Sequence, residues 1–155
     1  MSNDIKRYTP LSKGTIRSFI TIFAILWLTG LLWILIEYTK TERADLRTSG
    51  QTILMQLHGG VAFLALMCLG SFSDHVKRGL SIKVNVPSGV SLLIYMTLLI
   101  ISAWMLYYVG DDFYRSIASW THLTLGIVLP LLILGHSVLG KRLLKAKQRL
   151  RSGRS

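Results

Sequence analysis

Apolar residues in this chain come in long runs, without the narrow stripe of a soluble helix or the alternation of a half-buried strand. Four runs reach the roughly 20 residues that a helix needs to cross the hydrocarbon of a bilayer. The first covers about 16–38 and reads IRSFITIFAILWLTGLLWILIEY. The second, about 52–73, contains TILMQLHGGVAFLALMCLGSF. The third, about 88–109, follows Pro87, a residue suited to a first helical position. The fourth, about 117–140, lies mostly within WTHLTLGIVLPLLILGHSVLGKR. Charged or turn residues bound each run, no internal repeat is visible, and no stretch remains for a soluble domain. Short connections predict antiparallel neighbours. The expected fold is an all-α integral membrane four-helix bundle over 16–140, with a polar N-terminal tail (1–15) and a basic C-terminal tail (141–155).

Composition agrees with the runs. The chain has 155 residues, is 51% hydrophobic and carries a formal net charge of +11. Its mean hydropathy is +0.48. So apolar a chain has too few polar residues to cover a soluble domain. The single cysteine, Cys68, rules out a disulfide framework within the chain. The polar start leads into a run long enough to span, so an uncleaved helix is expected and not a signal peptide.

Charge sets the expected orientation. Fourteen of the Lys and Arg residues fall in or just after the N-terminal tail (Lys6, Arg7, Lys13, Arg17), in the second loop (Lys77, Arg78, Lys83) and in the C-terminal tail (seven, Lys141 to Arg154). Four fall on the opposite side: Lys40, Arg43, Arg47 and Arg115. Both termini are therefore expected in the cytoplasm. Glu37, Glu42, Asp45, Asp111 and Asp112 lie opposite, with Tyr38, Tyr107, Tyr108, Tyr114 and Trp120 suited to the outer interface. Topology accounts for the basic tail, so no nucleic-acid partner is expected. The run KRLLKAKQRLR is expected to prolong the fourth helix along or beyond the membrane surface.

The four histidines carry the candidate chemistry. His58 and His75 fall on the second helix or its end, His122 and His136 on the fourth, and none on the first or third. The second and fourth helices run in the same direction. His58 and His122 then share an outer depth, and His75 and His136 a cytoplasmic one. Two imidazoles from facing helices suit the two axial positions of a haem iron built for electron transfer. His122 and His136 are fourteen residues apart, a rise of about 21 Å and about 40° short of four turns, so they share a face. His58 and His75 are seventeen apart, about 25 Å and about 100° short of five turns. Tilt or a distortion near Gly70 would have to absorb the difference. A zinc or iron site would need its ligands to converge within a few ångströms, which opposite membrane faces do not allow. A proton relay would need carboxylates deep in the spans, and there are none.

Gly59, Gly60, Gly70, Gly126 and Gly135 lie beside or between these histidines. They give clearance for a flat macrocycle or let helices pack closely, two readings the sequence leaves open. Pro130 predicts a kink between His122 and His136.

The segment LHGGVAFLALMCLGSFSDH, followed by ISAWMLYYVGDDFYRSIASWTHLTLGIVLPLLILGHSVLGKR, resembles the bacterial membrane b-type cytochromes. These include the cytochrome b-561 type and the b subunits of membrane-bound hydrogenases and formate dehydrogenases. The pairs on helices two and four also resemble the haem-binding core of cytochrome b in the bc-type complexes. Many b-561 proteins carry a haem histidine on the first helix, and this chain has none there. The resemblance covers about 54–142 and implies two b-type haems between helices two and four, with His58, His75, His122 and His136 as axial ligands. It further implies a multi-pass protein of the bacterial inner membrane. Electrons would pass across the membrane or to and from the quinone pool, with a redox partner protein in a homo- or hetero-oligomer.

Arg115, Lys77, Arg78, Lys141 and Arg142 are candidates to meet haem propionates, and Asp111 and Asp112 to face a basic partner. Solvated loops and topology explain the same residues. No dehydrogenase, nucleotide-binding or iron–sulfur motif is present. The competing functions are a non-redox scaffold or assembly factor with structural histidines, and a haem-handling transporter component.

Overall fold

In lipid every backbone N–H and C=O needs a partner inside the chain, which drives each apolar run into a helix. The computed structural model describes residues 12–39, 49–83 and 85–152. Among these the chain forms helices α1 (Lys13–Thr39), α2 (Ser49–Gly70), α3 (Ser73–Ile82), α4 (Val86–Tyr108) and α5 (Asp112–Ser152), and no strand. Four stretches are long and apolar enough to cross a membrane: Lys13–Thr39, Gly50–Ser81, Val86–Tyr108 and Asp112–Leu150. The protein is an all-α chain with four membrane-spanning candidates. Lys6, Arg7, Lys40, Glu42, Arg43, Asp45, Arg47 and Arg154, used above for orientation, lie outside the described residues.

Local chemistry fixes the helix ends. Ser12 caps α1: its Oγ accepts from Thr15 N at 3.0 Å, and its carbonyl accepts from Ile16 N at 3.1 Å. Asp111 caps α5, its Oδ1 accepting from Phe113 N at 3.0 Å and Tyr114 N at 3.1 Å. The cap starts α5 five residues before the expected 117, so Arg115 stands inside the first turns of the helix rather than ahead of it. Asn85 precedes α4 in the left-handed region (φ 58°, ψ 29°), with Pro87 in the first turn.

α2 does not run on to His75. Ser71 N shares the carbonyls of Met67 (3.2 Å) and Cys68 (3.1 Å), and Phe72 N turns back to Leu69 O at 3.0 Å. The Ser71 hydroxyl also donates to Met67 O at 3.2 Å. With these i−3 bonds the regular ladder gives way to a turn. The second span therefore comprises α2, a turn at Ser71–Phe72, and α3. The distortion expected near Gly70 is this break. His75 stands on α3, so a rotation counted along one continuous helix from His58 does not apply.

The chain divides into two units that meet in sequence between His75 and Val76. In the first, α1 packs on α2, burying Leu54, Ala65 and Gln51. The Gln51 amide donates to Glu37 Oε2 at 2.9 Å. Phe19 meets Phe72 at a 5.0 Å ring separation. In the second unit α4 packs on α5, burying Met96, Ser102, Ala118 and Leu129. Large apolar side chains otherwise point outward; Phe63 and Met67 are each 72% exposed. That is untenable in water over a whole chain and ordinary against lipid tails.

α5 runs through Pro130 as one helix. A proline supplies no N–H to the carbonyl four residues back, here that of Gly126. The Tyr95 hydroxyl donates across the seam to the neighbouring carbonyl, Leu125 O, at 2.8 Å. Tyr95→Phe should lower the stability of this hairpin by about 0.5–1 kcal/mol, the net worth of one interhelical bond. Unfolding by SDS titration in mixed micelles checks this, with no change in helix content expected before the transition.

Candidate functional site

A histidine in a spanning helix has two ring nitrogens that lipid cannot satisfy. Three of the four solve this the same way, by turning Nδ1 onto the neighbouring helix of their own hairpin. His58 on α2 places Nδ1 at 2.9 Å from Thr29 Oγ1 on α1. His122 on α5 places Nδ1 at 3.1 Å from Ser102 Oγ and 3.2 Å from Leu99 O, both on α4. His136 on α5 places Nδ1 at 2.7 Å from Ser88 Oγ on α4. Asn85 adds to the third group: its Nδ2 donates to His136 O at 3.1 Å and stands 3.4 Å from Nδ1.

The ring edge needs room as well as a partner. A Cβ on Gly30, the residue after Thr29, would stand 3.4 Å from His58 Cε1. A Cβ on Gly89, the residue after Ser88, would stand 3.5 Å from His136 Cε1. A hydroxyl followed by glycine thus makes the seat for two of the rings. At the third, Ala103 follows Ser102, which is itself buried.

The second hairpin contains this arrangement twice. Ser88 and Ser102 are fourteen residues apart on α4, as His122 and His136 are on α5. Antiparallel packing brings the two sets together in one register. The rise of about 21 Å between levels fits inside a hydrocarbon core of about 30 Å.

His75 is different. Its ring lies edge-on to Phe72 at 6.2 Å, and Phe72 in turn stacks obliquely on Phe19. Among the described residues no three His, Cys, Asp or Glu side chains come together as a metal-holding group. An axial pair, with one ligand from each of two helices, is a different arrangement from such a cluster.

Four of the five glycines singled out from the sequence do not seat these rings. A Cβ on Gly60, Gly70, Gly126 or Gly135 would meet no atom within 4 Å, so close packing inside their own hairpins is not their role. Thr29, Ser88, Ser102, Asn85, Gly30 and Gly89 escaped notice. The available signal was the Thr-Gly and Ser-Gly pairs on the two histidine-free helices, with Ser88 and Ser102 at the same fourteen-residue spacing as the histidines. Trp33, one turn from Thr29 on α1, has a buried Nε1 with no hydrogen-bond partner among the described residues. Lys77, Arg78, Arg115, Lys141 and Arg142 are exposed on α3 and α5. Asp111 has a structural task as the α5 cap.

Comparison with protein-family profiles, curated proteins and solved structures finds no match to the chain.

The seat makes a graded prediction. Gly30→Ala adds a methyl at an ordinary contact distance and removes a glycine from a helix, so the hairpin should be unharmed or stabilised by up to about 1 kcal/mol. Gly30→Leu should drive the His58 ring off Thr29. Histidine side-chain NMR signals and thermal unfolding in detergent would show both, with only the leucine variant shifting His58.

Proposed function

We propose that this chain is a dihaem b-type membrane cytochrome that passes electrons across the membrane or to and from the quinone pool, as a subunit or partner of a redox complex. The supporting observation is the anchoring of His58, His122 and His136 through Nδ1 by the adjoining helix. Metal-bound histidines characteristically have their second ring nitrogen tied to a fixed partner, which sets ring orientation and basicity. With Nδ1 so engaged, Nε2 is the nitrogen that would meet an iron. The donor set therefore fits haem b. On the depths expected from the sequence, one iron would take His58 and His122 and the other His75 and His136. Haem, when bound, supplies an iron that changes oxidation state by one electron. No Cys-x-x-Cys-His motif is present for covalent attachment, so the cofactor would be extractable.

The residues of the chain have separable tasks in this reading. The α5 histidines supply one ligand at each of two depths. α4 holds both of those rings, and α1 holds His58. The apolar exterior keeps water from the ligands and leaves the lipid as the medium. His75 supplies the fourth ligand from α3, with Phe72 against its ring edge. The protein belongs in this reading to the bacterial inner membrane, with both termini cytoplasmic. A redox protein or quinone supplies the other end of the transfer.

One competing reading has support of its own. Imidazole–hydroxyl bonds also act as interhelical glue, so the same contacts suit a scaffold with structural histidines. A pigment decides between them. The purified protein should carry haem b, extractable by acid–acetone and identified as a pyridine haemochrome. A colourless protein from haem-replete cells refutes the cytochrome. His58→Ala and His122→Ala should each remove one haem, and His75→Ala and His136→Ala the other, leaving about half the pigment in each. If His75→Ala keeps the full content and an unchanged low-spin spectrum, His75 is not the fourth ligand.

Orientation is tested separately. Reporter fusions at both ends should read as cytoplasmic, given fourteen basic residues on that side against four. A periplasmic signal from either terminus reverses the assignment of depths.

A further inference from the structure

The three anchored imidazoles do not have equivalent partners. We propose that in the haem-free protein His58 and His122 are held with the hydrogen on Nδ1, whereas His136 is held with it on Nε2. A hydroxyl has one hydrogen to give, and where that hydrogen goes decides what the imidazole must be.

At His58 the hydrogen of the Thr29 hydroxyl is already committed. Thr29 Oγ1 lies 2.8 Å from Ile25 O and 2.9 Å from Leu26 O, both of which only accept. What Thr29 presents to His58 Nδ1 is a lone pair, so Nδ1 must carry the hydrogen and donate. At His122 the same logic holds twice. Ser102 Oγ donates to Leu99 O at 2.8 Å, and Leu99 O itself stands 3.2 Å from His122 Nδ1. A carbonyl and a committed hydroxyl both ask Nδ1 to donate.

At His136 the polarity is reversed. The Ser88 hydroxyl bonds to Nδ1, and no backbone carbonyl takes its hydrogen among the described hydrogen bonds. The orientation of the Asn85 amide is set by His136 O, a pure acceptor at 3.1 Å, so it is the NH₂ that stands 3.4 Å from Nδ1. An N–H on Nδ1 would point at another N–H. Nδ1 therefore accepts, and the hydrogen resides on Nε2.

The consequence for ligation rests on the cytochrome reading; the tautomers do not. Coordination through Nε2 needs a lone pair there. His58 and His122 already have it. His136 must break its Nε2–H bond and form an Nδ1–H bond, with no change in ring charge, while the Ser88 hydroxyl turns to accept. The His58–His122 level should then fill with haem before the level that uses His136.

The test is a long-range ¹H–¹⁵N correlation on the full-length chain, labelled at histidine, produced without haem and held in detergent. Protonated and unprotonated ring nitrogens separate clearly in such spectra. His58 and His122 should show Nδ1–H, and His136 Nε2–H, each at about five to one or better, the preference one net hydrogen bond gives. Thr29→Val, close in shape, should shift His58 alone towards Nε2–H. Ser102→Ala should leave His122 as Nδ1–H, because Leu99 O remains. Predominant Nε2–H at His58 or His122, or predominant Nδ1–H at His136, in the unmodified chain overturns the proposal whether or not any variant folds. Haem titration of the same preparation reads the other question. No binding refutes the cytochrome and leaves the tautomers standing. Equal filling of both levels overturns the ordering drawn from them.

Discussion

A polar group carried into hydrocarbon must find its partner within the protein, and the structure depends on that requirement at two scales. For the backbone it makes every apolar run a helix. For the imidazoles it chooses which residues may stand opposite them. Lipid gives little hydrophobic drive for one helix to pack on another, so small residues and interhelical hydrogen bonds carry more of the association. Here the bonds are concentrated at histidines. Thr29–His58 joins α1 to α2, and Ser102–His122 with Ser88–His136 joins α4 to α5. The groups that need partners are also the groups that set the register of each hairpin.

Two such bonds at different heights determine a register better than one. On α4 and α5 a slip of one residue would carry both serines off the histidine face, since each residue turns the helix by about 100°. The Tyr95–Leu125 bond lies between the two levels and reinforces the same alignment where Pro130 leaves a carbonyl without its usual donor. The first hairpin has one histidine bond, the Gln51–Glu37 bond at one end and the Phe19–Phe72 contact at the other. Each hairpin is thus pinned at three heights, with an imidazole at one of them in the first and at two in the second.

The spans were legible because hydropathy measures the property that the bilayer imposes. Helix ends were less so. Hydropathy marks where lipid stops, whereas the helix stops where capping or propensity decides. α5 starts early because Asp111 caps it, and it continues to Ser152 because Lys, Leu, Ala, Gln and Arg in KRLLKAKQRLR are all good helix formers. The break after Gly70 was visible only as a geometric misfit in the seventeen-residue spacing; the turn at Ser71–Phe72 itself is not encoded in any periodicity. The histidines stood out as costly residues in apolar runs. Their seats did not, because Thr, Ser and Gly are unremarkable in spanning helices, and only the antiparallel register shows which of them lies opposite a ring.

The absence of histidine from α1 and α4 then acquires a physical reason. Each hairpin pairs one helix that offers imidazoles with one that offers hydroxyls beside small residues. A second histidine at Thr29 or Ser88 would place one ring against another in a seam where even a methyl on the following glycine would sit at contact distance. The helix that seats the ring must be slim and must present oxygen. On this division, the packing of Thr29 and Gly30 against His58 suits a first helix without a histidine of its own, and α1 contributes by holding the His58 ring.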